Sequence, residues 1–299
     1  MNGLLFVVIG LANSLPSAAP VEKRSQAERI IAGYLAMPQP EDQFGEARQA
    51  RWQVLGQLKA LPDEAVSAVR RTLADVKNPR QREELAAAVA DQIHTNEAAA
   101  LLRDFLKDGD AQVRSKAIHG LRMMARQTDR IGGKRTQRGQ DFAPKVKGLV
   151  PWLIEAADDK AEQNRISALY ALADACDPAA VAELRRRLQD PSDRVRLYAA
   201  CFLTEFQDAS GLPEMRAALE RMSKQKPQSD LDRYGSAEML LASLERITGK
   251  SFGEIPMNPH LCSDTTKIAE YEQRYGELLR IWAQWWAWEP SGMDRTLPR

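Results

Sequence analysis

The chain has 299 residues, 44% of them hydrophobic but only 6% aromatic, and a formal charge of +1. That is enough aliphatic material for a sizeable helical core and too little aromatic and β-branched weight for a β-sandwich. The near-neutral balance argues against a dedicated nucleic-acid binder, which carries a clear basic excess.

The first residues read MNGLLFVVIGLANSLPSAAPVEK. Gly3 to Ala12 form an apolar run, Ser17, Ala18 and Ala19 offer small residues before Pro20, and the first charged side chain is Glu22. The pattern predicts a secretory signal peptide over 1–19, followed by a linker over 20–40. It lacks a Lys or Arg ahead of the apolar run, so an uncleaved anchor and a spurious leader on a cytoplasmic protein stay open. The run is too short to span a bilayer, which takes about 20 residues. The mature chain is therefore expected to be exported, with no transmembrane helix and as a monomer.

From 41 to 248 one pattern recurs: an arginine followed seven residues later by Leu or Val. It is seen at Arg48/Leu55, Arg82/Val89, Arg114/Leu121, Arg165/Leu172, Arg196/Leu203 and Arg233/Leu240. "LRDFLKDGDAQVRSKAIHGL" (102–121) aligns with "LRRRLQDPSDRVRLYAACFL" (184–203), matching Asp108 with Asp190, Arg114 with Arg196 and Ala117 with Ala199. Residues 154–172 fit the same frame through Asp159, Arg165 and Leu172, and 51–58 look like the end of an earlier copy. Each unit predicts a helix, a turn with Asp110 or Asp193 as the next N-cap, and a second helix. That second helix carries Val113, Ala117 and Leu121, or their equivalents, on one face. One pair cannot bury that face alone; stacked neighbours complete the core.

These Asp, Val-Arg, Ala and Leu positions resemble HEAT repeats of the short bacterial type. The resemblance implies an all-α, right-handed α-solenoid of about six helix pairs. It also implies that Asp108, Asp190, Arg114, Arg165 and Arg196 are structural positions that bond between adjacent repeats.

The marker arginines lie 31 to 37 residues apart, except for 51 between Arg114 and Arg165. The excess is an insertion over 126–148, glycine-bearing at Gly132, Gly133 and Gly139 and predicted to be a flexible loop. Between Arg126 and Lys147 it holds seven basic residues against two acidic ones. Arg130, Lys134, Arg135 and Arg138 are the candidate partner-binding residues, because arginine forks suit carboxylate and phosphate geometry. No aromatics interleave them, so stacking on single-stranded bases is not supported.

After the last unit, 249–288 read as a loop and one amphipathic helix over 267–288, with Asp264 as a candidate N-cap. Residues 289–299 read as a flexible tail. HEAT-repeat proteins of some bacteria look similar here, with an Ile-Thr-Gly-Lys-x-Phe-Gly stretch before a Trp-x-x-Trp-Trp helix. Helical spacing puts Leu278, Ile281 and Trp285 on a stripe flanked by Trp282 and Trp286. Trp282, Trp285 and Trp286 are expected to cap the open end of the solenoid. Trp288 is expected to stay partly exposed.

Catalytic motifs are sought without success. Gly249-Lys250-Ser251 lacks the P-loop glycine, since Leu244 stands there. His260 and Cys262 are only two ligands, and His94 and His119 are distant in sequence, so no metal site is expected. Asp158 and Asp159 fall at a repeat turn. Cys176, Cys201 and Cys262 form no C-x-x-C; separate thiols and one disulfide both remain open. No cofactor or catalysis is expected. The function read from the sequence is an exported protein-binding scaffold. The alternatives are a cytoplasmic HEAT-like protein contacting nucleic acid or another polyanion, and an enzyme built on the solenoid.

Overall fold

The structure, a computed structural model, describes residues 25–38, 46–126, 129–131, 134–136, 146–224, 231–256 and 267–288. The leader, Asp264, His260, Cys262, Arg138 and the tail lie outside the described residues. Among the described residues, no helix is long and apolar enough to cross a membrane.

Among the described residues, thirteen α-helices run in chain order. The first six are α1 (Gln26–Ala36), α2 (Glu46–Gly56), α3 (Pro62–Leu73), α4 (Pro79–Gln92), α5 (Asn96–Phe105) and α6 (Ala111–Ala125). After the insertion come α7 (Val150–Ala156), α8 (Glu162–Asp174), α9 (Ala180–Arg187), α10 (Asp193–Leu203), α11 (Leu212–Lys224), α12 (Leu231–Thr248) and α13 (Ile268–Trp288). They pack as HEAT-like helix pairs, α1 to α6 forming three consecutive pairs and α7 to α12 three more, with α13 following the last. First helices contact first helices, as α1 does α3 and α3 does α5. Second helices contact second helices, as α8 does α10 and α10 does α12. The chain divides into two compact units, Met1–Met124 and Ala125–Arg299.

Helix α1 lies in the stretch read as a linker. Ser25 and Glu28 close a capping box at its start, and Ala27, Ile31 and Tyr34 are buried. The chain thus enters its first helix pair well before residue 41. Start signals elsewhere are local. Asp110 accepts from the amides of Gln112 and Val113 at 2.8 and 3.2 Å and caps α6 as expected. Helix α10 differs: Ser192, not Asp193, is the cap, accepting from the Val195 amide. Asp193 sits one residue inside and pairs with Arg196.

Small residues let the pairs approach. A Cβ placed on Gly120 would lie 2.7 Å from the Cβ of Ala90 and 2.7 Å from Cδ1 of Leu102. One on Gly211 would lie 2.6 Å from the Ala200 Cα, which is backbone and cannot swing aside. Gly211→Ala is therefore expected to destabilise unit two by about 1–3 kcal/mol through overpacking. Chemical denaturation followed by circular dichroism checks this, with Gly235→Ala as a roomier control because its Cβ would meet only the Tyr198 hydroxyl, at 3.5 Å.

The insertion contains an element the loop reading does not anticipate. Strands β1 (Asp129–Ile131) and β2 (Lys134–Thr136) pair antiparallel. In sequence, Gly132 and Gly133 are the two residues between them, a composition that tight hairpins favour.

Candidate functional site

The repeat turns explain the marker residues. Asp108 and Arg114, Asp159 and Arg165, and Asp190 and Arg196 are each six residues apart. In each unit the arginine Nη1 donates to the carbonyl of its own turn aspartate: Arg114 to Asp108 at 2.9 Å, Arg165 to Asp159 at 3.1 Å, and Arg196 to Asp190 at 2.9 Å. In two repeats the fork of the marker arginine reaches the next turn. Arg82 grips Asp108 through Nε and Nη2 at 2.8 and 3.1 Å. Arg165 grips Asp190 the same way, at 2.9 and 2.8 Å. Arg196 meets Glu214 instead, at 3.4 Å. In the first pair Arg51 closes its turn, donating to Met37 O at 2.7 Å and reaching Glu84 at 2.8 Å. This is a staple between repeats, made of charge-assisted forks that are largely out of water.

A second layer was missed from sequence. Arg187, 6% exposed, donates to Glu183 at 2.6 Å and to Asp190 at 3.5 Å, and also pairs with Asp158. Arg186 joins the same Asp158 at 2.9 Å. Asp158 therefore serves as an acceptor between turns. Only the run Arg185-Arg186-Arg187 signalled the layer in the sequence. Burial pushes the Asp190 carboxyl up, but the Arg165 bonds, the Ser192 amide and the charges of Arg165 and Arg187 outweigh it, holding it below its ordinary value. Asp108 is lowered by the same balance, with Arg82 as the main partner. These groups are fully engaged in holding repeats together.

At the C-terminal end, Tyr275, Leu278, Leu279, Trp282 and Trp286 of α13 are buried. The buried stripe is rotated from the expected one: Trp282 and Trp286 lie at its centre, while Ile281 and Trp285 are half-buried flanks. The loop before α13 accounts for the rotation. Phe252 meets Trp282 edge-on at 4.7 Å and Trp285 at 6.1 Å, and Trp285 stands edge-on to Trp282 at 5.5 Å. Lys250 Nζ lies 5.5 Å from the Trp285 ring centroid, and the Tyr275 hydroxyl donates to Pro256 O at 2.8 Å. Gly249, at φ 67°, ends α12, so Gly249-Lys250-Ser251 is a helix terminus and not a phosphate loop. Trp288 is 84% exposed.

The remaining chemistry is sparse. Among the described residues, no three His, Cys, Asp or Glu converge as metal ligands. His119 faces Asp91 at 3.4 Å, and His94 lies 3.1 Å from Ala90 O. Neither Cys176 nor Cys201 is in a disulfide, and burial pushes the Cys201 thiol up to about 12.

The hairpin carries Arg130, Lys134 and Arg135 on its two strands. Its register sets Arg130 opposite Arg135, Ile131 opposite Lys134, and Asp129 opposite Thr136. Three of the four candidate binding residues thus lie on one short ladder; Arg138 lies beyond its described end.

Comparison with known proteins agrees with the repeat architecture. The family described as HEAT repeats matches residues 150–240, less than half of the chain. Among curated proteins no sequence matches. A solved structure of human deoxyhypusine hydroxylase in complex with glycerol is similar at 18% identity. It covers 86% of this chain and 96% of its own, with a TM-score of 0.27.

Proposed function

This chain is a HEAT-repeat domain-containing protein, and from that premise we propose that it is an exported binding or scaffold protein that holds an anionic protein partner through its cationic hairpin, without catalysis. The observation that carries the reading is the Arg130/Arg135 rung with Lys134 beside it, in an insertion between the third and fourth helix pairs. Solenoid insertions map to loops on one face, often the binding face. The other conspicuous charges, Arg165, Arg187 and Arg196, are already bonded within the repeats. Export is supported by the apolar run from Gly3 to Ala12 and the small residues Ser17 to Ala19.

The test is charge reversal of Arg130, Lys134, Arg135 and Arg138 to glutamate, followed by quantitative recovery of partners from native cells. Loss of the partners with an unchanged melting curve is the expected result. Retention of every partner contradicts the reading. The competing nucleic-acid role is read in the same experiment: duplex binding that falls steeply with salt favours it.

A further inference from the structure

Helix α13 carries more apolar surface than its buried line uses. That line is Tyr275, Leu278, Leu279, Trp282 and Trp286. Helical spacing sets a second line beside it, Ile281, Trp285 and Trp288, at i, i+4 and i+7. Ile281 and Trp285 are half-buried, and Trp288 is 84% exposed. A single surface indole needs no explanation. Three apolar side chains in register over two turns form a flank. Cations border it. Residues 278–288 hold Arg280 and no acid, and Glu289 follows. Lys250, exposed, stands 5.5 Å from the Trp285 ring centroid. Arg280, also exposed, donates from Nε to the Gly276 carbonyl at 3.0 Å. The acids nearby are engaged: Glu277 accepts from Arg274 at 3.3 Å, and Glu245 from the Ser251 hydroxyl at 2.6 Å.

Area argues against a protein partner here. An indole buries about 150–250 Å², so a flank with two side chains already half-buried offers roughly a few hundred Å². A stable protein interface takes about 800 Å² from each partner. A bilayer sets no such minimum. Its headgroup zone accepts the apolar body and polar N–H of an indole, and anionic headgroups attract the flanking cations. We propose that this flank of α13 is a peripheral contact for an anionic lipid bilayer. Trp288 enters the headgroup zone, and Lys250 and Arg280 meet lipid phosphates. The contact is weak and reversible, because one exposed indole and two cations fall short of a stable anchor. Trp282 stays in the cap throughout. The proposal depends neither on the hairpin nor on export.

The test is co-sedimentation of the full chain with vesicles of phosphatidylcholine alone and of phosphatidylcholine mixed equally with phosphatidylglycerol. Variants are read as ratios to wild type, so any contribution of the apolar run from Gly3 to Ala12, or of the hairpin, is common to all. Wild type is expected to bind the mixed vesicles. Trp288→Ala is expected to lower the partition coefficient about tenfold with an unchanged melting curve. Lys250→Gln is expected to lower it about fivefold on mixed vesicles and not on neutral ones. Trp52→Ala, which removes a tryptophan 41% exposed in the other unit, is expected to change nothing. Equal partition of Trp288→Ala and wild type overturns the proposal, as does failure of wild type to bind. Binding to neutral vesicles as tight as to mixed ones overturns the choice of an anionic bilayer. A concentration-dependent dimer in sedimentation velocity that Trp288→Ala abolishes, without vesicle binding, overturns it in favour of a second copy of this chain.

Discussion

Asp190→Ala is expected to destabilise unit two by about 3–5 kcal/mol, the cost of breaking a buried ion pair from one side. The carboxylate is 5% exposed, takes both arms of Arg165, and caps its own turn through the Ser192 amide at 2.9 Å. Removing it leaves the Arg165 fork and part of Arg187 without their acceptor in a place water reaches poorly. The contrasting variant is Asp104→Ala. That carboxylate is 59% exposed and pairs with a 48% exposed Arg70, so the change costs less than about 1 kcal/mol. Urea unfolding of both variants checks the ratio. A pH dependence accompanies it. Asp108, Asp158, Asp190 and Asp208 all sit below their ordinary carboxyl value in the folded chain. Their contribution is present above the unfolded value, about pH 3.9, and is lost as pH falls through the lower folded values. Wild-type stability is therefore expected to fall below about pH 4, and more shallowly in Asp190→Ala.

Trp282→Ala is the second large loss, about 3–5 kcal/mol for emptying a buried aromatic site. The indole is 1% exposed and is the meeting point of Phe252 and Trp285, so its removal opens the contact between the loop and α13. Trp288→Ala is expected to change stability by less than about 0.5 kcal/mol, because 84% of that residue already faces solvent. Thermal melts of the two variants separate a tryptophan that caps the stack from one that only follows it in sequence. An aromatic binding shelf would show the reverse pattern, with Trp282→Ala melting as wild type.

The repeat frame was legible because its signals are local. An aspartate and an arginine six residues apart span one turn and the start of one helix. Their bond to the turn carbonyl recurs wherever the pair does, at Asp108/Arg114, Asp159/Arg165 and Asp190/Arg196. The insertion showed itself as a break in that period. Helix α1 was not legible: it precedes the first marker and is followed by Pro38 and Pro40, so its residues resemble linker composition. The phase of the tryptophan helix was ambiguous for a different reason. Ile281/Trp285 and Trp282/Trp286 are both apolar pairs at i, i+4, and only the arrival of Phe252 from the preceding loop decides which faces inward. The hairpin lacks the alternation that marks strands, since its residues are Asp-Arg-Ile and Lys-Arg-Thr. The Gly132-Gly133 connector was its one available signal. The Arg187 network joins the local set Glu183, Arg187 and Asp190 to Asp158 of an earlier turn, a long-range link that no spacing rule describes.

Zero-length carbodiimide cross-linking of fractionated native cells, read by mass spectrometry, tests the central claim most directly, because it couples lysine amines only to carboxylates in contact. The account predicts a chain beginning after Ala19 in the exported fraction, with Lys134 joined to an Asp or Glu of a second protein. A chain that keeps Met1 in the cytosol, or a Lys134 that joins no carboxylate of another protein while other lysines do, contradicts it.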